Sequence, residues 1–412
     1  MRRSLPVLAS VALVLAAAGA GAQAAEFEPD QVPEPAETFG EPITPVAAQY
    51  VNATFEALQA TLEAAPDVYG GSYWHPRTES LRIQIRPGAD SVQVAQLERE
   101  VDDVLAALAE SSKVTFAVES ESVVDGQAMA EDLGLDTAWA GAESQAVKGA
   151  YYDMSAATVK VLVDASAESR LEGALRGLRT AVPVRIEPVT EPGSGDAASD
   201  TVGSAAALLA GSRFNDRGGW TGGNLIRGSL TNFYCTQGFT WRLWSNNRLY
   251  GGIAEYCSDR DNSWLHAGRS VGAVGVVEPT VDAGLMGAAS GTSYNADVWV
   301  GATNTADVRP VRSAAGSVVV GTHIAISGAY AGLDEGLITG PVYGPGWPNG
   351  LVRVTGIDCE SDFGAPYLTT YSDGAVMAHG QAWQESDDDP DCYYVNVTAI
   401  SSALNASIAV VP

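Results

Sequence analysis

The chain has 412 residues, and its 50 acidic and 23 basic side chains give a formal net charge of −27. A field of that sign repels phosphate backbones and anionic lipid heads, so no nucleic acid and no membrane surface is expected as a partner, whereas basic peptides fit. The length allows roughly two or three domains with at least one sizeable core, and a hydrophobic content of 46% with 44 glycines fits a turn-rich globular protein.

Met1-Arg2-Arg3 opens the chain, an apolar run follows over residues 5–20, and Ala22-Gln23-Ala24 supplies small residues around a cleavage point. This pattern predicts a secretory signal peptide over residues 1–24, its apolar part being shorter than a bilayer span requires. Residues 25–44 are rich in Pro and Glu without hydrophobic periodicity and read as a disordered linker. The mature protein is therefore expected to be secreted and extracellular.

From residue 45 the pattern changes. Val51, Phe55, Leu58 and Leu62 recur at helical spacing and predict an amphipathic helix. A repeat follows. Tyr69-Gly70-Gly71-Ser72-Tyr73-Trp74-His75-Pro76 leads into the alternating Leu81-Arg82-Ile83-Gln84-Ile85, then a helix over residues 91–111 and a strand over 114–118. The second copy has strands over residues 149–153 and 159–163, a helix over 167–180 and a strand over 182–186. Two tandem strand-strand-helix-strand units predict an α+β domain over residues 45–188. Residues 189–205 are rich in Gly, Ser, Asp and Ala and read as a linker open to processing. Residues 206–412 break into short apolar strands punctuated by glycine, the pattern of an all-β double barrel.

The chain has 4 cysteines. In an exported protein they predict two disulfides, for which three pairings are open. Their wide spacing, with no Cys-x-x-Cys, argues against a metal site, and no cofactor is expected.

The stretch Cys359-Glu360-Ser361-Asp362-Phe363-Gly364-Ala365-Pro366 resembles the nucleophile loop of chymotrypsin-fold serine proteases, where a Cys precedes Gly-Asp-Ser-Gly-Gly-Pro. Asp362, Gly364 and Pro366 match; Ser361 replaces the oxyanion-loop glycine and Phe363 replaces the nucleophile. Upstream, Ile253-Ala254-Glu255-Tyr256-Cys257 fits the family's Thr-Ala-Ala/Gly-His-Cys frame with Tyr256 at the general base, and Thr280-Val281-Asp282-Ala283 carries the third member, Asp282. A phenyl ring has no lone pair to attack a carbonyl. A phenol with a pKa of about 10 is a poor proton acceptor at neutral pH. An aspartate alone only orients a histidine that this frame lacks. Tyr256, Asp282 and Phe363 thus read as a relic triad without covalent chemistry.

Within that family the chain is most similar to the streptogrisin and α-lytic protease group. Ser327-Gly328, Gly332, Gly336 and Ile338-Thr339 reproduce its glycine ladder, and Ala378-His379-Gly380 resembles its substrate-binding edge strand, normally Ser-Gly-Gly. The resemblance implies a double six-stranded barrel, the pairs Cys235–Cys257 and Cys359–Cys392, and an N-terminal domain that assists folding and then inhibits. It also implies an imidazole at His379 over the specificity pocket. The arginine that holds the Asp before the nucleophile in this group falls at Ile326, so Asp362 loses its expected ion partner. The acidic run of residues 385–391 reads as a solvated loop or as a site for a basic side chain or Ca²⁺.

The function so implied is that of a secreted, catalytically inactive homologue. Its partners would be peptides, proteins or protease inhibitors bound in the residual cleft, and its own pro-domain. Two other readings stay open: an active endopeptidase with displaced residues, drawing on Ser361 with His266 or His379, and a structural extracellular protein.

Overall fold

The computed structural model describes residues 45–75, 78–109, 111–119, 122–154, 156–178, 180, 182–189, 213–214, 216, 219–303, 305–359, 362–383 and 391–411. The expected signal peptide, the linker of residues 25–44, residues 190–205 of the second linker, Ser361 and the acidic run of residues 385–390 lie outside the described residues.

The first helix, Pro45–Glu63, buries Val51, Leu58 and Leu62 in a core shared with Leu97 and Val101 of the helix Ser91–Ala107. Asp90 caps that second helix, its Oδ1 accepting from Val92 N at 2.9 Å and Gln93 N at 3.2 Å. The strands Tyr69–His75, Ser80–Ile85 and Val114–Val118 form one three-stranded sheet, as the first repeat predicts. The second unit supplies Val147–Asp153, Thr158–Asp164 and Val184–Val189, with a helix over Glu168–Leu175 that ends before the expected residue 180. A helix that no periodicity announced, Val123–Leu135, lies between the units and buries Val123, Ala130 and Leu133 in the second core. Gly126 permits this packing, because a Cβ there would lie 2.3 Å from the Tyr152 ring.

Six strands of the C-terminal half close on themselves. In order around the ring they are Gly332–Tyr343, His323–Gly328, Pro366–Thr370, Val376–Ala382, Asp391–Asn396 and Leu351–Thr355, the last pairing with the first. Ile324, Ile326, Ile338, Val352, Val354 and Tyr394 fill this barrel. The preceding half is a curled sheet that includes Leu225–Gly228, Ser263–His266, Arg269–Glu278, Ala283–Ala288 and Leu249–Ala254. Alternating side chains point Ile226, Ile253, Trp264, Val271 and Met286 into its concave face. The expected double barrel preceded by an α+β region is the fold of the chain.

The two parts share a sheet. Val147–Asp153 pairs antiparallel with Gly332–Tyr343 through Tyr151↔Val342 and Ala150↔Tyr343. Trp74 N also donates to Val320 O at 2.9 Å, and Gly316 N to Glu56 Oε1 at 2.7 Å. At the joint the Arg353 guanidinium stands 4.2 Å from the Tyr151 ring centroid, and Glu187 bonds both Tyr151 and Lys160.

Candidate functional site

The strand Leu249–Ala254 runs straight into a single helical turn, Glu255–Ser258, and pairs at its end with Ala283. That register sets Asp282, the residue before Ala283, against Tyr256. Asp282 has left-handed backbone angles, φ 42° and ψ 48°, costly for a residue with a Cβ. Its carbonyl is held from two sides, by Glu255 N at 3.2 Å and Gln381 Nε2 at 3.4 Å. Its Oδ1 accepts from Tyr256 N at 3.0 Å, whereas Oδ2 is buried with no hydrogen-bond partner. Burial pushes this carboxyl up to about 7 against the Tyr256 bond that lowers it, with the Glu255 charge adding to the rise.

The Tyr256 and Phe363 rings lie 4.8 Å apart between centroids, so the three relic positions converge although they are far apart in sequence. Phe233 completes an aromatic group, 5.8 Å from Tyr256 and 6.3 Å from Phe363. Arg260 caps it, with its guanidinium carbon 4.9 Å from the Tyr256 centroid and Nη2 donating to Tyr256 Oη at 3.0 Å. The phenol oxygen therefore receives a hydrogen bond from a permanent cation. Sequence reading missed both Phe233 and Arg260. The i,i+4 spacing of Tyr256 and Arg260, the arginine two residues past the helical turn, was the available signal for it.

Asp362 is fully buried. Its Oδ1 accepts from Thr236 Oγ1 at 2.8 Å and Tyr330 N at 2.9 Å, and its Oδ2 from Ala331 N at 2.9 Å. Ala329 N donates to Thr236 Oγ1 at 3.1 Å, which directs the hydroxyl proton to the carboxylate. The loss of an arginine at Ile326, a residue buried in the barrel core, is met by these donors. Burial raises the Asp362 carboxyl, and the three donors and the Arg213 charge oppose that rise.

The expectation for Ala378, His379 and Gly380 is overturned. Ala378 pairs with Ala314 on one side and Leu368 on the other, and Gly380 pairs with Asn396 and Tyr367. A strand hydrogen-bonded along both edges has no free edge for a substrate backbone. The His379 ring is buried, its Nε2 3.2 Å from Thr369 Oγ1, and burial lowers it to about 4. Two positions on, Gln381 is the residue of this strand that reaches Asp282.

His266 is buried as well, its Nε2 accepting from Asp216 N at 2.7 Å and its Nδ1 2.7 Å from Leu225 O. Both ring nitrogens are thus engaged by backbone. The disulfides join Cys235 to Cys257 and Cys359 to Cys392, with Cα separations of 6.4 and 6.1 Å, as the resemblance implies. Among the described residues no group of three or more His, Cys, Asp or Glu side chains could hold a metal ion.

A curled sheet that offers Tyr256 and Asp282, and a closed barrel that offers Phe363, make up the double-barrel arrangement of this chain. Among solved structures it is similar to a glutamic acid specific serine protease, at 21% identity and a TM-score of 0.38 over 46% of this chain and 100% of that one. Thermobifida fusca protease A is similar at 20% identity and a TM-score of 0.37 over 46% of this chain and 98% of that one. A Nocardiopsis protease is similar at 16% identity and a TM-score of 0.36 over 46% and 97%. No family model matches the chain, and no curated protein matches it.

Proposed function

We propose that this chain is an exported serine protease homologue that binds a peptide segment and does not cleave it. The observation that carries this reading is the Tyr256–Phe363 ring contact at 4.8 Å, with Arg260 bonded to the phenol oxygen. A carbon ring stands at the nucleophile's position, and the group at the base's position has its oxygen turned to a cation, so neither attack nor proton removal is available. The burial of His266 and His379 speaks against a displaced-residue enzyme that draws on either of them. The two disulfides support an oxidising, extracellular setting, and no described helix is long and apolar enough to cross a membrane. The N-terminal α+β region is the intramolecular partner, a reading supported by the shared sheet.

A fluorophosphonate probe tests the reading on the full secreted chain. No adduct is expected by intact mass. An adduct on any serine, with hydrolysis of peptide esters that the probe abolishes, would establish an enzyme. Thermal stabilisation by protease-inhibitor proteins or cationic peptides, lost in Tyr256→Ala, is the positive sign of binding.

A further inference from the structure

We propose that Arg213 is the buried counter-ion of Asp362, fastening the loop that carries Phe363 from a segment far outside the hairpin where this fold group keeps its arginine. Arg213 has no exposed surface. Its Nη1 donates to Ser327 Oγ at 2.8 Å and to Gly223 O at 3.4 Å, and its Nη2 to Gly301 O at 3.1 Å. Every one of these acceptors is neutral, so the positive charge still needs compensation inside the protein.

Asp362 lies against Gly328, the next residue of the hairpin that carries Ser327. A Cβ at Gly328 would lie 1.8 Å from Asp362 Oδ2, while Gly223 approaches so closely that its Cβ would lie 2.7 Å from Arg213 Nη1. Ser327 thus touches the cation and Gly328 the anion. The attraction is mutual, the Arg213 charge lowering Asp362 and the Asp362 charge raising Arg213. Tyr330 is a further titratable neighbour, its phenol pushed upward by burial and by the Asp362 charge. Ile326 cannot serve, being an alkyl side chain within the core. The backbone of Arg213 is itself fixed, because Leu225 N donates to Arg213 O at 3.0 Å.

This assignment gives the start of the barrel half a task. Any cut that frees the N-terminal domain must fall before residue 213 if the Phe363 loop is to keep its counter-ion. The role is one of positioning, since Arg213 acts through Asp362.

The full-length secreted protein carries the test through Arg213→Met, Asp362→Asn and their combination. Each single change is expected to lower Tm by about 5 °C or more, since it strands the other charge in the interior. The double change should lose clearly less than the sum. For Arg213→Met the deficit should shrink as pH falls from 7 to 5, because protonation of Asp362 removes the stranded charge. A purely structural contact would show no such pH dependence. Adding Ile326→Arg should recover Tm in the Arg213→Met background while destabilising the parent. Additive losses, or a deficit independent of pH, would overturn the assignment. If Arg213→Met is not secreted, Asp362→Asn decides alone: an unchanged Tm means that Arg213 needs no anion there, and the proposal fails.

Discussion

Tyr256 reaches Asp282 through its backbone and not its side chain: the amide donates to Oδ1 at 3.0 Å, while the phenol oxygen accepts from Arg260, also at 3.0 Å. In a working triad the second carboxylate oxygen would hold an imidazole. Here Oδ2 is buried without a hydrogen-bond partner.

Asp282→Asn is therefore expected to stabilise the protein at neutral and higher pH. The folded carboxyl, raised to about 7, holds its proton more tightly than an unfolded aspartate at about 3.9, so stability falls as pH rises between those values. Removing the ionisable group should flatten that fall and yield about 1–4 kcal/mol at pH 8. Thermal melts at pH 4, 6 and 8 check it. An equal loss at all three values would mean that Asp282 is needed for its shape.

The aromatic group should act as a unit. Tyr256→Ala and Phe363→Ala, singly and together, are expected to give a coupling of about 0.5–1.5 kcal/mol in a double-mutant cycle. Denaturant melts read this directly, and zero coupling would leave the two rings as mere neighbours.

Cys359→Ala with Cys392→Ala is expected to cost about 2–4 kcal/mol through release of a closed loop. The bridge joins the end of the Phe363 loop region to a barrel strand at a sequence separation of 33. The variant should also be nicked faster by proteases within that loop. Mass spectrometry of the fragments would show whether the cuts fall there.

At the joint between the two halves, Arg353 stacks on Tyr151 while Lys160 and Arg353 both pair with Glu187. With a specific cleavage site placed in the linker, Arg353→Met should weaken retention of the N-terminal domain by about 10-fold or more, as loss of a partly buried charge contact does. Gel filtration of the cut protein measures it. Unchanged retention would assign the docking to the paired strands alone.

The linker makes its own prediction. Between Arg185 and Arg213 there is no lysine or arginine, so trypsin has no site there, whereas proteases that accept small residues have many. In a host without other secreted proteases the chain should stay whole. Stoichiometric self-cleavage would reveal a live enzyme.

Much of the fold was legible because it rests on local pattern. The two repeat units, the first helix and the glycine-punctuated strands carry their period in the sequence, and the disulfide pairs followed from flanking motifs. Strand register did not follow. Ala378, His379 and Gly380 look like an exposed edge because their residue types fit one, yet which strands flank them is decided by non-local pairing. The helix Val123–Leu135 hid behind small residues, Gly126 and Ala130, that mark close packing more than amphipathicity. Arg213 was invisible for another reason: its acceptors are backbone carbonyls and a serine hydroxyl brought from distant loops, and no motif encodes that.

The strand pairing between Val147–Asp153 and Gly332–Tyr343 has a consequence for any released form. Parting the halves bares two lengths of unpaired main chain, one on each piece, around Tyr151 and Val342. Such seams invite a second copy to add on. The freed barrel half is therefore expected to self-associate unless something else is laid along the seam. In the intact chain the N-terminal α+β region covers that seam.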